Sequence, residues 1–190
     1  MKYAQYWEDD FLLPYFKDKG VGFLVDVGAA DGQTGSNSRC LLLQGWKGIL
    51  IEPEPTQFAA LQELYKDNKN VVTVNCAIGH THGRYPFYSC AQVSTLCPKW
   101  KENCEGRFGV EYQTGEVEVR TLTSVLEEFK APLELDFLTI DAEGMDGTVW
   151  HSLDSTRFRT KLVCMEGHGW ALPAYKEVHR TAGNILLELQ

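Results

Sequence analysis

Apolar and polar positions divide the chain into short hydrophobic runs separated by polar turns. Trp7, Phe11, Leu12, Tyr15 and Phe16 recur at helical spacing, which predicts an amphipathic helix over residues 7–17, ended by Gly20 and Gly22. Phe23-Leu24-Val25-Asp26-Val27 is a nearly continuous apolar run, as expected of a strand buried on both faces. The turn Gly28-Ala29-Ala30-Asp31-Gly32 follows, then a helix over Asn37 to Leu43. Gly48 to Ile51 reads as a second core strand closed by Glu52-Pro53. Pro55 suits a first helical turn, and Phe58, Leu61, Leu64 and Tyr65 continue at helical spacing. Val71 to Val74 is a third strand. Strands alternating with helices imply a parallel sheet with crossover connections.

Residues 80–115 interrupt this rhythm with aromatic residues, three cysteines and many polar residues. A strand is expected over Tyr85 to Tyr88 and a long loop after it. A loop of that length in a compact domain is usually functional or mobile, so 85–112 reads as an insertion or lid. Val117 to Val119 alternates like a short strand, and Ser124-Val125-Leu126-Glu127 matches a capping box opening a helix. Leu135 to Ile140 is a core strand ending at Asp141, and Lys161 to Met165 another ending at Glu166. The pattern then predicts a helix over Pro173 to Thr181 and a last strand over Asn184 to Leu189. The expected architecture is one α/β domain spanning 1–190, Rossmann-like, with helices on both faces of the sheet.

Composition narrows the functions. A length of 190 residues suits one domain with a real core. The net charge is −8, from 18 basic and 26 acidic residues, which argues against a nucleic-acid backbone as partner. No apolar run approaches the ~20 residues of a membrane span, and the first residues lack the apolar stretch of a signal peptide. The reading is a cytoplasmic protein without membrane association. Cys40, Cys76 and Cys164 lie in apolar surroundings and should pack as small buried groups. Cys90, Cys97 and Cys104 include no Cys-x-x-Cys pair, so neither zinc nor a disulfide is expected from them.

Polar residues stand at the carboxyl ends of the predicted strands, where open parallel sheets bind ligands. They are Asp26, Gly28, Asp31 and Gly32 after the first strand, Glu52 after the second, and Asn75-Cys76-Ala77-Ile78-Gly79 after the third. Asp141 and Glu143 follow the fourth, and Glu166 and His168 the fifth. Gly28 and Gly32 allow a sharp turn and a close backbone approach. An acidic residue some twenty positions later can accept hydrogen bonds from ribose hydroxyls, and Glu52 is so placed. Ala30 occupies the place of the glycine that admits a pyrophosphate in dinucleotide sites. That combination fits a ligand with ribose and adenine but no phosphates, such as S-adenosylmethionine, whose ammonium and sulfonium groups favour acidic neighbours.

The sequence resembles the FkbM-type family of S-adenosylmethionine-dependent methyltransferases. The resemblance rests on Gln5-Tyr6-Trp7-Glu8-Asp9, on Val25 to Gly32, on Ser36-Asn37-Ser38 and on Gly45-Trp46-Lys47-Gly48-Ile49-Leu50-Ile51-Glu52-Pro53. Ala77-Ile78-Gly79, Val119 to Leu122, and Asp136 to Gly144 with its Asp-Ala-Glu-Gly end extend it over most of the chain. The resemblance implies a class I methyltransferase fold and O-methylation. It implies that Asp26, Gly28, Ala29, Asp31 and Gly32 hold the methionine part of the cofactor and that Glu52, beside Pro53, holds the ribose. Ala77 and Ile78 would line the adenine, and Gln5 and Asn37 would complete the wall. The family's sheet usually closes with an antiparallel hairpin. Here the predicted strands stop at about the sixth, so that hairpin is expected to be incomplete, leaving an edge open to a second copy of the chain.

Asp141, Glu143, Glu166 and His168 are the candidate general bases, with Asp141 also able to hold the amino-acid end of the cofactor. His168 has the most suitable unperturbed pKa. Asp141, Glu166 and His168 also carry donor types that suit a divalent cation, although no metal site is assigned. The expected acceptor is a small hydroxylated molecule such as a sugar or natural product. Two rivals remain. An NAD-dependent oxidoreductase would carry a fuller glycine fingerprint and often a Tyr-x-x-x-Lys pair. A non-catalytic nucleoside-binding module would be expected to lose the acidic strand ends.

Overall fold

The computed structural model describes residues 2–190. The chain runs through α1 (Asp9–Tyr15), β1 (Phe23–Val27), α2 (Arg39–Leu42), β2 (Lys47–Ile51), α3 (Pro55–Tyr65), β3 (Val71–Val74) and β4 (Ala77–Ile78). It continues through β5 (Gly83–Ser89), a 3-10 turn (Ala91–Val93), α4 (Pro98–Phe108), β6 (Gln113–Arg120), α5 (Leu122–Glu128) and β7 (Glu134–Ile140). α6 (Asp146–His151), β8 (Arg159–Glu166), β9 (Tyr175–Arg180) and β10 (Asn184–Leu189) complete it. A seven-stranded sheet has the order β3-β2-β1-β7-β8-β10-β9, and β4-β6-β5 form a separate small sheet.

The central strands are apolar at successive positions because each face of the sheet has its own core. Val25, Val27, Ile49, Ile51, Leu138, Ile140 and Val163 point to one side and pack with Leu122, Val125 and Leu126 of α5 and Val149 of α6. Leu24, Leu50, Phe137 and Leu162 point to the other, against Leu12 of α1, Leu41 and Leu42 of α2 and Leu61 of α3. Strands β2, β3 and β7 pair parallel with their neighbours around β1, and β8 is parallel to β7. Strand order reverses beside β1, where the chain returns to lay β7 against it, and this switch point opens the crevice at the strands' carboxyl ends.

The C-terminal segment differs from the helix its sequence predicts. Residues 175–180 form strand β9, not a helix, and β10 lies antiparallel between β8 and β9. The closing hairpin is therefore complete. A register shift between Leu186 and Leu187 breaks the alternation of β9, which explains why Tyr175 and Val178 mimic helical spacing. The resulting edge carries Lys176, Glu177 and Arg180, charges of the kind that discourage further strand pairing.

The insertion is also more ordered than its composition suggests. β5 pairs antiparallel with β6 along its whole length, and α4 fills the middle of the stretch expected to be a loop. α5 begins earlier than the capping-box reading, because Thr121, not Ser124, is its N-cap, its hydroxyl accepting from the Ser124 amide at 3.2 Å.

The N-terminal segment is tied across the closing hairpin. Glu8 is fully buried, and its carboxylate accepts from Thr181 Oγ1 at 2.7 Å, Asn184 Nδ2 at 2.8 Å and the Tyr6 amide at 3.1 Å. The Tyr6 ring lies over Gly183, where a Cβ would come within 1.9 Å of it. A bridge between Ala4 and Gly35 then brings Gln5 and Tyr6 to the mouth of the crevice.

Candidate active site

The turn after β1 is shaped by backbone contacts. The amides of Gly28 and Ala29 both donate to the Ile51 carbonyl, at 2.9 and 3.1 Å. Gly28 has φ +85°, and a Cβ there would stand 1.8 Å from the Asp141 carbonyl oxygen. Its role is thus to let the ends of β1 and β7 meet, and only secondarily to leave room for a ligand. Gly32 has a similar explanation, since a Cβ would press on Leu61 of α3 at 2.5 Å.

Glu52, at the end of β2, folds back on this turn. Its carboxylate accepts from the amides of Ala30 (2.9 Å) and Glu54 (2.7 Å), and burial pushes its pKa up to about 7 despite those bonds. Asp26 is buried on the α2 side, where burial raises its carboxyl to about 6 and the Ser38 hydroxyl donates to it at 2.5 Å. Asn37 donates from Nδ2 to Thr139 Oγ1 at 3.3 Å, while its Oδ1 is buried without a partner.

Across the switch point, β7 and β8 end side by side. Ile140 pairs with Met165, so Asp141 and Glu166 are the next residues on neighbouring strands. Burial, with Glu166 opposite, holds Asp141 well above the usual carboxylate range. Burial and the nearby Glu143 carry Glu166 to about 7. Two such carboxyls facing each other in one recess favour retention of a proton between them. Glu143 follows with a left-handed φ of +48°, and burial beside Asp141 brings it to about 8. Trp100 Nε1 donates to the Glu143 carboxyl at 2.6 Å and Thr95 Oγ1 to its backbone carbonyl at 2.8 Å, fastening the insertion to this loop.

These groups surround one cavity of about 810 Å³. Its floor is Asp26, Glu52, Asp141, Glu143 and Glu166, and Cys76, Ala77, Ile78 and Phe87 give it an apolar flank. Of the anticipated residues, Gln5, Gly28, Ala29, Asn37 and Pro53 also line it. Asp31, Gly32 and His168 do not. The Asp31 carboxylate is turned back onto Gln33 and Thr34, whose amides donate to it at 2.8 and 2.7 Å. His168 is exposed, with Nε2 3.1 Å from the Thr181 carbonyl oxygen. Among the described residues no three His, Cys, Asp or Glu side chains converge as metal ligands, so Asp141, Glu166 and His168 do not form the cation site considered from sequence.

Helix α4 supplies a wall where the sequence predicts a loop: Trp100, Asn103, Cys104, Arg107 and Phe108 line the cavity. The signals were Pro98 at the first helical turn, a left-handed Gly109 after the last, and the i, i+4, i+8 spacing of Trp100, Cys104 and Phe108. Two further aromatics of the insertion, Tyr88 and Tyr112, do not line the cavity. Lys101 Nζ lies over the rings of Tyr88 and Tyr112, and the Tyr112 hydroxyl donates to the Val93 carbonyl at 2.9 Å.

The family model of the methyltransferase FkbM domain matches residues 26–186. The chain belongs to the FkbM methyltransferase family. The solved structure of methyltransferase FkbM from Methylobacillus flagellatus KT superposes with TM-score 0.57 at 15% identity over 92% of this chain. The chain spans 46% of the length of that protein. The Escherichia coli yhhF protein superposes with TM-score 0.55 at 11% identity, covering 96% of this chain and 85% of its own. The METTL16 methyltransferase domain gives 0.53 at 13% identity, covering 96% and 64%. At these identities the likeness establishes a shared fold. A comparison with curated proteins finds no match in sequence. FkbM-family membership brings a general expectation of S-adenosylmethionine use, and the cavity can be tested against that ligand's chemistry.

Proposed function

We propose that this FkbM-family chain binds S-adenosylmethionine in the cavity and methylates a hydroxyl group of a small molecule. The observation that carries the reading is the set of carboxyls gathered at the strand ends, Asp26 and Glu52 buried and Asp141, Glu143 and Glu166 half-buried, with the unpartnered Asn37 Oδ1 beside them. A ligand with an ammonium group supplies the donors that Asn37 and Asp26 would accept. A sulfonium charge offsets the mutual repulsion of Asp141, Glu143 and Glu166. Glu52, already shaped by the Ala30 and Glu54 amides, keeps lone pairs free for ribose hydroxyls, and the flank of Ala77, Ile78 and Phe87 suits an adenine ring. A pyrophosphate on the same floor would meet acidic groups and no basic side chain except Arg107 among the lining residues, which counts against the NAD-dependent alternative. The cavity volume falls in the usual small-molecule range of ~300–1,000 Å³.

When bound, S-adenosylmethionine supplies a methyl group activated by its sulfonium. The chain has two tasks. The first is orientation: α4 and the strand ends hold the acceptor in line with that methyl group, which can lower the barrier by ~7–11 kcal/mol. The second is proton acceptance. The ionised member of the Asp141–Glu166 pair, whose affinity for a proton is raised by burial, takes the proton from the acceptor's hydroxyl. Thermal unfolding with S-adenosylhomocysteine and with NAD tests the proposal. S-adenosylhomocysteine should raise the melting temperature in a concentration-dependent manner and NAD should not. Stabilisation by NAD alone would overturn it.

A further inference from the structure

The acceptor side of the cavity is electrostatically asymmetric. Its floor is acidic throughout, whereas Arg107 is the single Lys, Arg or His among the residues that line it. Arg107 sits in the last turn of α4, exposed at the rim, and makes no ion pair among the described residues. Glu105, the acidic residue nearest in sequence on α4, accepts from Lys101 at 2.6 Å. Arg107 instead lies against the ring of its neighbour Phe108, 5.2 Å from the centroid. That ring is 63% exposed.

Spacing turns these residues into one surface. Positions 100, 103, 104, 107 and 108 recur at helical period, so Trp100, Asn103, Cys104, Arg107 and Phe108 form a single stripe of α4 directed at the cavity. The two ends of the stripe differ. Trp100 is fixed at the inner end by its bond to Glu143. The outer end offers a guanidinium that has no carboxylate partner among the described residues and that lies over the exposed Phe108 ring. A ring lying along the stripe would stack on Phe108, meet Asn103 with a polar substituent, and reach Arg107 with its outermost group.

We infer that the acceptor is a hydroxylated ring compound bearing an anionic group, a carboxylate or a phosphate ester, that pairs with Arg107 while its hydroxyl points toward Asp141 and Glu166. The inference rests on the methyltransferase reading above and specifies its substrate class. The charge arrangement fixes the direction of entry. An anionic end driven inward meets the carboxyls of the floor, whereas the same end held at the rim gains a charge-assisted, planar pairing with the guanidinium. Arg107 is in this account a specificity-determining residue. It does not touch the transferred methyl group.

The test is calorimetric titration of the S-adenosylhomocysteine-loaded protein with three probes of one ring size: 4-hydroxybenzoate, 4-hydroxyphenyl phosphate and neutral methyl 4-hydroxybenzoate. At least one anion should bind about tenfold or more tightly than the ester, the range a charge-assisted hydrogen bond supplies. Comparison of the two anions tells carboxylate from phosphate. Arg107→Gln should abolish the difference, Arg107→Lys should keep part of it, and neither should alter affinity for S-adenosylhomocysteine. Equal binding of anion and ester, failure of both anions to bind, or a preference that survives Arg107→Gln would overturn the inference. The same titrations without S-adenosylhomocysteine keep the two readings apart. Failure of S-adenosylhomocysteine to bind counts against the methyltransferase reading, while the anion preference is still decided by Arg107.

Discussion

Asn37 and Asp31 show what single residues do at this site and how far each could be read in advance. Both are polar, both follow β1, and both fall in motifs that resemble the family. Asn37 lines the cavity and is 7% exposed, with its Oδ1 enclosed and unsatisfied, whereas Asp31 spends its carboxylate on its own turn. A buried unpaired acceptor costs free energy that a ligand donor recovers. Asn37→Ala should therefore weaken S-adenosylhomocysteine binding by about 1–3 kcal/mol, measured by calorimetry. Asp31→Ala should leave that affinity close to native. The reverse order would show that the ligand contacts the turn differently. The acidic strand ends were legible because each ends an apolar run. Which of them faces the cavity was not, since the path of the turn decides it and Asp31, Gly32 and His168 turn away. The two glycines likewise have structural explanations that the motif alone hides: Gly28 is required by the Asp141 carbonyl and Gly32 by Leu61.

Elements divide by how they bury their surface. β1, β2, β7, β8 and β10 are legible because strands buried on both faces read as predominantly apolar runs. β9 was misread because its register shift disrupts the alternation that marks a strand. α4 was missed because it is largely polar: Cys104 is its only buried residue. The same polarity bears on its dynamics. A helix with little buried surface, fastened to the core through Trp100 and Thr95 at one end, should open more readily than the sheet it covers. Hydrogen exchange should find the amides of residues 98–108 exchanging faster than those of β1 in the free protein, with protection increasing when S-adenosylhomocysteine is added. Slow exchange that the ligand leaves unchanged would make the insertion a fixed part of the scaffold.

At the scale of the whole molecule, the fold gathers negative charge at one place. Parallel strands leave their carboxyl ends together, and four of those ends carry Asp or Glu: Asp26 within β1, Glu52 after β2, Asp141 after β7 and Glu166 closing β8. Glu8 holds the N-terminal segment to the hairpin beside them, so Gln5 and Tyr6 help to close the crevice. The result is a recess whose carboxyls hold protons at neutral pH: Glu52 and Glu166 titrate near about 7 and Glu143 near about 8. Each folded-state value is raised, so each group is partly or mostly protonated at pH 7 in the free protein. A cationic ligand favours the ionised forms and must expel those protons, and its affinity must rise as pH increases from about 5 to about 8. The most direct measurement is a calorimetric titration of the native protein with S-adenosylmethionine at pH 7, repeated in buffers of different ionisation enthalpy. The account predicts micromolar binding with net proton release, larger than that produced by S-adenosylhomocysteine, which lacks the sulfonium charge. Absence of binding, or binding that takes up protons, would contradict it.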